Sequence, residues 1–277
     1  MRRLQSLQCG WFQVLRFIAV ATVFAAGGLV GCSNGDSQTG PGPVGPVGPQ
    51  GQVGPVGDET GIPGSGTIAT ETRDVTNFDQ IVFRSEGTVL VTRADTGSLT
   101  IEADDNLQRY LEASVGGGVL EIVTADGAVI APSKPPVFRI ATSDVGAVGL
   151  AGAGTIDIGL IETDRLEITL SGVGDITIGA VDVDELMLDL TGVGTVSLTG
   201  ATDRQDALVA GVSFYDGSDL ASRFATIEAA AMGEATIWVS AELEVTARDS
   251  ASVGYYGTPA VIEDVSGSAT VNPLGTK

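Results

Sequence analysis

The chain has 277 residues, a formal net charge of −21, no histidine and only two cysteines. Such an acidic chain is a poor candidate for nucleic-acid binding, which needs clustered basic side chains. Without histidine, Ser-His-Asp catalysis, Cys-His catalysis and most zinc sites are excluded.

The N-terminus has the pattern of a bacterial lipoprotein signal peptide. Three arginines precede an apolar run, Phe17–Val30, that is too short for an ordinary membrane-spanning helix. The run ends in Leu-Val-Gly-Cys, which resembles the lipobox, where the cysteine is lipidated and becomes the new first residue. We predict a removed signal peptide at 1–31 and lipidation of Cys32. The alternative is a plain signal peptide in which Cys32 is incidental.

The predicted mature chain is acidic and has no free thiol. Cys9 lies in the removed segment and Cys32 is acylated, so neither a disulfide nor a redox switch is expected. Removing 1–31 removes three arginines and leaves 11 basic and 35 acidic residues, a net charge of −24. Serine at position 33 favours the outer membrane over the inner one. Whether the protein faces the periplasm or the exterior stays open.

Residues 32–66 predict a lipidated cysteine followed by a collagen-like linker. From Gly42 the chain runs in triplets such as Gly-Pro-Val, up to Gly57. This composition favours polyproline II and cannot build a core. Fully extended, the linker would span up to ~100 Å at ~3.1 Å per residue. We expect a monomeric stalk, with a trimer formed through the triplets as the alternative.

Residues 67–149 predict an irregular β region that caps the first end of a repeat domain. Short apolar runs such as Ile81–Phe83 and Val119–Val123 indicate strands. Asp104 followed by a short amphipathic run up to Leu111 predicts a capping aspartate and one or two helical turns. Three prolines predict a loop near the end of this region: Pro132, Pro135 and Pro136.

Residues 150–277 repeat with an interval of 20 residues. The interval separates three glycine pairs, which are Gly152 and Gly154, Gly172 and Gly174, and Gly192 and Gly194. Each pair is followed by a short alternating strand and preceded by a second one. Weaker corners continue at Gly211, Ala231, Asp249 and Gly267, which extends the repeat to seven turns. At Ala231 and Asp249 we expect a neighbouring residue to take the turn conformation.

A fixed repeat of short strands without helical spacing predicts an all-β fold. We expect a right-handed parallel β-helix, or β-solenoid, with turns of ~20 residues and an irregular β capping region before it. The glycines fit its corners, where the chain needs φ > 0 or a close approach of two backbones. A phosphate-binding loop would need a helix after the glycines, but β-branched strands follow them.

The acidic side chains predict solubility and protected sheet edges better than they predict calcium binding. Calcium needs several oxygens at one point. The candidate ligands Asp157, Asp175 and Asp189 do not recur from turn to turn, because threonine or serine takes the first two positions in neighbouring turns. We therefore assign no metal, cofactor or catalytic residue.

Residues from about 74 to 273 resemble the head GIN domain family, whose members are described generically as auto-transporter adhesin heads. The resemblance rests on Phe78 with Ile81, on the repeated Leu-Ser-Gly-Val-Gly corners, and on the late Tyr255–Pro259 segment. It implies a bacterial envelope protein with a β-solenoid-like head. The family supplies no agreed catalytic or ligand residues.

Two classes of function stay open. The first is a non-catalytic envelope module that binds a glycan, another surface polymer or a protein. The second is a polysaccharide lyase or hydrolase, for which paired carboxylates would be needed. Its candidates form two clusters, which are Asp182, Asp184 and Glu185, and Asp203, Arg204 and Asp206. Exposed aromatic side chains would favour sugar binding. The candidates in the repeat are Phe214, Tyr215, Trp238, Tyr255 and Tyr256. We expect Phe224 to be buried.

Replacing Cys32 by Ala tests the lipid anchor. Without the thiol there is no acylation site, so we expect the variant to leave the membrane fraction and appear as soluble protein. Fractionation of cells that express wild-type or variant protein measures this. Membrane association that does not change in the Cys32→Ala variant would overturn the lipoprotein prediction.

Overall fold

The structure, a computed structural model, describes residues 61–277. The signal peptide, Cys32 and the collagen-like triplets predicted above lie outside the described residues. Nearly all regular structure in the described part is β-strand, and 17 strands belong to one continuous sheet. A single 3-10 helix, Gln108–Tyr110, accompanies them, and no helix between 61 and 277 is long and apolar enough to cross a membrane.

Nine strands precede the regular repeat, and ten build it. The first nine are β1 (Ile62–Pro63), β2 (Ile68–Arg73), β3 (Gln80–Arg84), β4 (Glu86–Arg93), β5 (Ser98–Asp104), β6 (Leu111–Gly116), β7 (Val119–Thr124), β8 (Ile130–Ala131) and β9 (Val137–Thr142). The other ten are β10 (Ala147–Leu150), β11 (Ala153–Ile158), β12 (Ile161–Leu170), β13 (Val173–Leu190), β14 (Val193–Val209), β15 (Val212–Ala229), β16 (Glu234–Ala247), β17 (Ser252–Tyr256), β18 (Ala260–Val265) and β19 (Thr270–Gly275).

Strands β10–β19 form a parallel β-solenoid of about six turns, which confirms the predicted fold class. Every strand pairs with its equivalent in the next turn, so that Gly154, Gly174 and Gly194 stand directly above one another. The seven predicted corners are present, and they bound six complete turns rather than seven.

The interior of the solenoid consists of columns of apolar side chains. One column contains Ile156, Ile176 and Val196, and a second contains Ile168 and Leu188. All five side chains are at least 96% buried. Because alternate residues of a strand face opposite sides, the intervening polar residues lie on the outer faces. Burying each Ile or Leu stabilises the fold by roughly 1.5–3 kcal/mol.

Glycine at the regular corners permits the turns to approach closely. A Cβ added to Gly174 would lie 1.8 Å from the carbonyl oxygen of Gly154, and one added to Gly194 would lie 1.8 Å from that of Gly174. The φ angles of these three glycines are 153°, 138° and 147° in chain order, a region that other residues rarely adopt. Both the close approach and the backbone conformation therefore require glycine.

The later corners keep the interval of the repeat, but two of the four have a residue other than glycine. At Gly211, Ala231, Asp249 and Gly267 the φ angles are 71°, 57°, 61° and 72°. The expectation that a neighbour takes the turn at Ala231 and Asp249 is therefore wrong. These residues adopt the left-handed conformation themselves, at a cost of roughly 1–2 kcal/mol for alanine. The Asp249 carboxylate accepts a hydrogen bond from the backbone N–H of Ala231 at 3.2 Å, which links the two corners.

Strands of the capping region pair with strands of the repeat, so the cap is part of the stack and does not simply precede it. Strands β3 and β4 pair with β10 and β11 on one side and with β7 and β9 on the other, all in parallel. The first turn is therefore sandwiched between later parts of the chain. Beyond it, β2, β5 and β6 pair antiparallel with their neighbours. The edge-to-face pair of Phe83 and Phe138, with centroids 5.2 Å apart, packs inside this end.

The segment just before β2 is bound tightly to the cap, although the sequence analysis assigned residues up to 66 to the linker. β1 pairs with β8. Asn106 holds the same segment, because its Oδ1 accepts from Ser65 N–H at 2.9 Å and its Nδ2 donates to Pro63 O at 2.8 Å. Residues from Ile62 onward therefore belong to the head.

Buried Asp104 connects this segment to the proline-rich loop instead of capping a helix. Its Oδ1 accepts hydrogen bonds from Gly66 N–H and the Ser133 hydroxyl, both at 2.7 Å, and its Oδ2 accepts from Ser133 N–H at 2.8 Å. These donors lower the pKa of Asp104, the Ser133 hydroxyl most strongly, and burial partly opposes them. The predicted helical turns reduce to the 3-10 helix, which has no side-chain cap.

The other end of the solenoid carries features that oppose pairing with another strand. In the described residues β18 pairs only with β16, and β19 only with β17. Glu263 continues the column of buried Val245, and Pro273 pairs with Tyr255. A charge at the end of the core column and a proline both disfavour continuation of a sheet.

Gly174→Ala tests the close approach of neighbouring turns. The new Cβ would overlap the Gly154 carbonyl oxygen, and the backbone would be strained, so we expect a loss of about 3 kcal/mol or more. Gly159→Ala is the matched control, because nothing lies within 4 Å of its Cβ position and we expect a change below about 1 kcal/mol. Urea unfolding measures both. Equal stability of the two variants would contradict the steric argument.

The depressed pKa of Asp104 predicts a pH dependence. A carboxylate that is stabilised in the folded state contributes stability above its unfolded pKa, near 3.8, and loses it as the pH falls through the lower folded value. Asp104→Asn should lower the unfolding temperature at pH 7, and the difference from wild type should shrink below about pH 4. Thermal unfolding from pH 7 to 2.5 measures this, with exposed Asp126→Asn as control. A difference that is independent of pH would contradict it.

Candidate binding surface

The candidate catalytic cluster of Asp203, Arg204 and Asp206 is distributed over ion pairs on the outer face. Asp203 accepts a hydrogen bond from Arg223 of the next turn at 2.7 Å. The Arg204 guanidinium lies 4.0 Å from Asp206 and 5.4 Å from the centroid of the Phe224 ring. Phe224 is only partly buried and is contacted by both arginines, so the expectation of a buried ring is wrong. The register places Phe224 in the outward-facing column between Arg204 and Glu242.

The other candidate cluster, which contains Asp182 and Glu185, has the same kind of ion pair between turns. Glu185 lies 3.8 Å from Arg165 of the preceding turn, and both side chains are more than half exposed. Asp182 is in register with Glu162, which pairs with Arg93. Exposed pairs of this kind contribute about 0–1 kcal/mol each. The ion pairs of this cluster therefore contribute little to the stability of the fold.

The calcium candidates lie in separate positions. Asp175 accepts a hydrogen bond from the backbone N–H of Thr195 at 3.0 Å. Asp157 is in register with Thr177, and Asp189 pairs with Thr169 and Leu208. Between residues 61 and 277, no group of three carboxylates or other ligating side chains is close enough to hold a metal ion.

Tyr215 does not belong to the exposed aromatics. Its ring is fully buried in the column of Ile176 and Val196, and burial strongly raises the pKa of its hydroxyl, with Asp216 adding to the effect. The hydroxyl donates to the Gln205 side chain at 2.7 Å, and Gln205 donates to the Ser222 hydroxyl at 2.8 Å. This buried polar chain is satisfied and belongs to the core.

Two of the predicted aromatics do form an exposed cluster. Trp238 of β16 and Tyr256 of β17 are directly paired on neighbouring turns, and both are partly exposed. The Ser222 hydroxyl, which donates to the Trp238 carbonyl oxygen at 2.8 Å, fixes the backbone beneath them. Tyr255 packs against the core at the edge of this pair. Phe214 lies apart, in register with Thr195 and Glu234.

A bulge in β15 brings an acidic residue beside the aromatic pair. The register between β15 and β16 jumps between Gly217 and Ala221, and Ala221 pairs with Trp238. The unmatched residues include Ser218 and Asp219. Bulges bend a strand locally and redirect its side chains, and they are frequent beside functional sites.

Lys277 fills the space between the bulge and the rings. Its Nζ lies 5.1 Å from the centroid of the Tyr256 ring and 5.9 Å from that of Trp238. The same nitrogen donates to the Ser218 carbonyl oxygen at 2.5 Å and to the Asp219 carboxylate. We call Ser218, Asp219, Trp238 and Tyr256 the aromatic–acidic cluster.

A separate apolar ridge follows the corners. Val173, Val193 and Val212 are in register, and Met232 continues them in the next turn through its N–H bond to the Gly211 carbonyl oxygen. Their exposed fractions are 57%, 46%, 49% and 59% in that order. The ridge therefore adds apolar contact surface along one edge of the solenoid.

The head matches the family model described as "putative auto-transporter adhesin, head GIN domain" over residues 77–259. The chain belongs to this family. The resemblance noted from the sequence is thereby confirmed. The matched residues include the corners up to Asp249 and all four residues of the aromatic–acidic cluster, whereas Gly267 and Lys277 lie beyond them. No curated protein matches the chain significantly.

Solved structures share the fold of the GIN-domain head. A putative adhesin from Bacteroides fragilis has a TM-score of 0.73 at 21% identity, over 78% of this chain and 100% of that chain. A putative lipid binding protein from Parabacteroides distasonis has a TM-score of 0.65 at 21% identity, over 77% and 99%. A putative adhesin from Parabacteroides merdae has a TM-score of 0.63 at 19% identity, over 77% and 98%.

Part of the cluster in the GIN-domain head could have been found from the sequence. Trp238 and Tyr256 are 18 residues apart, the same interval that separates the corners Ala231 and Asp249. That interval predicts stacking on adjacent turns. Asp219 and Lys277 had no such signal, because one depends on a bulge and the other on how the chain folds back after β19.

Proposed function

We propose that this chain is a lipid-anchored protein of the bacterial cell envelope whose GIN-domain head binds a surface polymer or protein without catalysing a reaction. The observation that carries the proposal is the aromatic pair Trp238–Tyr256. It is partly exposed on the outer face, in the last turns of the solenoid. Aromatic side chains supply large contact areas and a polar edge, which suits them to binding surfaces.

The position of the pair supports this proposal. Residues 62–67 enter at the capped end, whereas the pair lies at the opposite end of the stack. Six strand spacings separate Thr88 from Ser252 along one column, which corresponds to about 30 Å. The pair therefore lies at the end of the head that is remote from the point where the chain enters it. The outer membrane is the location that we propose for the anchor.

The ladders of ion pairs support a non-catalytic role. Glycoside hydrolysis uses two carboxylates that flank a bound sugar, and one of them acts as an acid with a raised pKa. Asp203 instead pairs with Arg223 on an open strand face. The description of the family as adhesin heads, and the adhesin names of two similar structures, agree with a binding role.

We further propose that the linker is a monomeric stalk. Glu263 and Pro273 disfavour end-to-end association of two heads through β18 and β19. A trimer held by the collagen-like triplets is the alternative, and the mass of the protein in solution distinguishes the two.

A binding and turnover screen tests the function. The protein from residue 32 onward, made soluble by Cys32→Ala, is applied to a glycan array and to isolated bacterial envelopes, and is incubated with polysaccharides. We expect binding without turnover. Trp238→Ala should weaken the binding about tenfold or more, which corresponds to about 1.4 kcal/mol. Val193→Ser on the apolar ridge is the control and should bind normally.

Two outcomes would overturn the proposal. Polysaccharide turnover that disappears in Asp203→Asn or Asp206→Asn would make the protein an enzyme. Binding that is lost in Val193→Ser but kept in Trp238→Ala would move the binding surface to the ridge.

A further inference from the structure

The space that Lys277 occupies is built by other parts of the chain. Trp238 and Tyr256 come from two neighbouring strands, and Ser218 and Asp219 come from the bulge in β15. The strand pairing and the hydrogen bond from Ser222 to Trp238 hold these elements without any contribution from Lys277. Lys277 lies two residues beyond β19, and its side chain is 27% exposed.

The two rings, the Asp219 carboxylate and the Ser218 carbonyl oxygen around this space together suit a primary ammonium group. Two aromatic rings within 6 Å attract a cation through their electron-rich faces, and the Asp219 carboxylate neutralises its charge. The Ser218 carbonyl oxygen and the carboxylate accept hydrogen bonds, so the cation must carry N–H groups. A primary ammonium meets these conditions, whereas a quaternary ammonium has no N–H to donate.

We propose that the aromatic–acidic cluster is a binding site for a primary ammonium group, that its ligand is a lysine side chain of a partner polypeptide, and that Lys277 fills the site when no partner is present. This deepens the proposed function and rests on it, since it assigns a ligand to the same aromatic surface. Lysine is favoured over an amino sugar because the observed occupant is a lysine side chain, whose Nζ contacts both rings, the carboxylate and the carbonyl oxygen.

Lys277 is an internal competitor of the partner in this arrangement. A group tethered by a short flexible segment has an effective concentration in the millimolar range, so an external ligand must displace it. Segments beyond the last strand open at low free-energy cost, which makes the displacement feasible. Removing the Lys277 side chain should therefore strengthen binding of an external amine.

The fluorescence of Trp238 reports directly on the binding of an external amine. The chain has two tryptophans, and Trp11 lies in the predicted signal peptide, so Trp238 is the only one in the protein from residue 32 onward. The Cys32→Ala protein and its Lys277→Ala derivative are titrated at constant ionic strength with three probes, which are Nα-acetyl-lysine methylamide, glucosamine and tetramethylammonium. We expect a saturable change with the lysine probe, with an affinity at least tenfold higher in Lys277→Ala. Tetramethylammonium should bind at least tenfold more weakly than the lysine probe.

Second-site variants in the Lys277→Ala background serve as controls. Asp219→Asn changes a side chain that is 68% exposed, so the fold should be kept while binding of the lysine probe falls about tenfold or more. Tyr256→Leu should remove the saturable change altogether, and circular dichroism checks that the solenoid remains folded.

Three results would overturn the inference. The first is that the fluorescence of Lys277→Ala does not change saturably with the lysine probe. The second is that Asp219→Asn does not change the affinity for that probe. Either result would mean that Lys277 only fastens the C-terminal segment to the solenoid. The third is binding of glucosamine in preference to the lysine probe, which would make the ligand an amino sugar. If amine binding fails while envelope binding still depends on Trp238, this inference fails and the proposed function stands.

Discussion

The fold depends on how closely the corners of neighbouring turns approach. Where a Cβ of Gly174 would lie, the Gly154 carbonyl oxygen is already present, 1.8 Å away. At these corners only glycine fits, because the hydrogen-bonded strands of neighbouring turns lie about 4.8 Å apart. At that spacing the inward side chains of each turn touch those of the next, so the columns of Ile, Leu and Val form a continuous core. The outer ladders of charged residues follow from the same register.

Toward the C-terminus this constraint relaxes, and the surface changes with it. Ala231 and Asp249 adopt left-handed conformations in place of glycine pairs. Polar groups enter the core through Tyr215, Gln205 and Ser222. β15 contains a bulge that adjacent β16 does not match, and that mismatch places Asp219 beside Trp238. The irregular turns therefore carry the cluster in which two partly exposed rings, a carboxylate and a cation meet, whereas the regular turns mainly support it.

The sequence predicted the features that depend on residues one turn of the repeat apart. The interval of 20 residues predicted the corners, the alternation of buried residues and the parallel stacking, because each depends on residues one turn apart. It failed where contacts are distant in sequence. Gly87 stands in register with Gly154, 67 residues later, because β3 and β4 are inserted between strands of the cap and the repeat. Asp104 looked like a helix cap, but its carboxylate binds Gly66 and Ser133, which no local pattern reveals.

The sequence by itself determined the fold class, the positions of the seven corners of the repeat and the character of the chain as a GIN-domain head behind a predicted lipid anchor. These follow from periodicity and composition, which tolerate substitution at single positions. Only the tertiary structure decided which side chains meet. Tyr215 and Trp238 look alike as aromatic residues of the repeat, yet the register buries the first and places the second outside with Tyr256. The cation beside the rings belongs to Lys277, 39 residues after Trp238, and a contact between residues so far apart in sequence depends on the path of the folded chain.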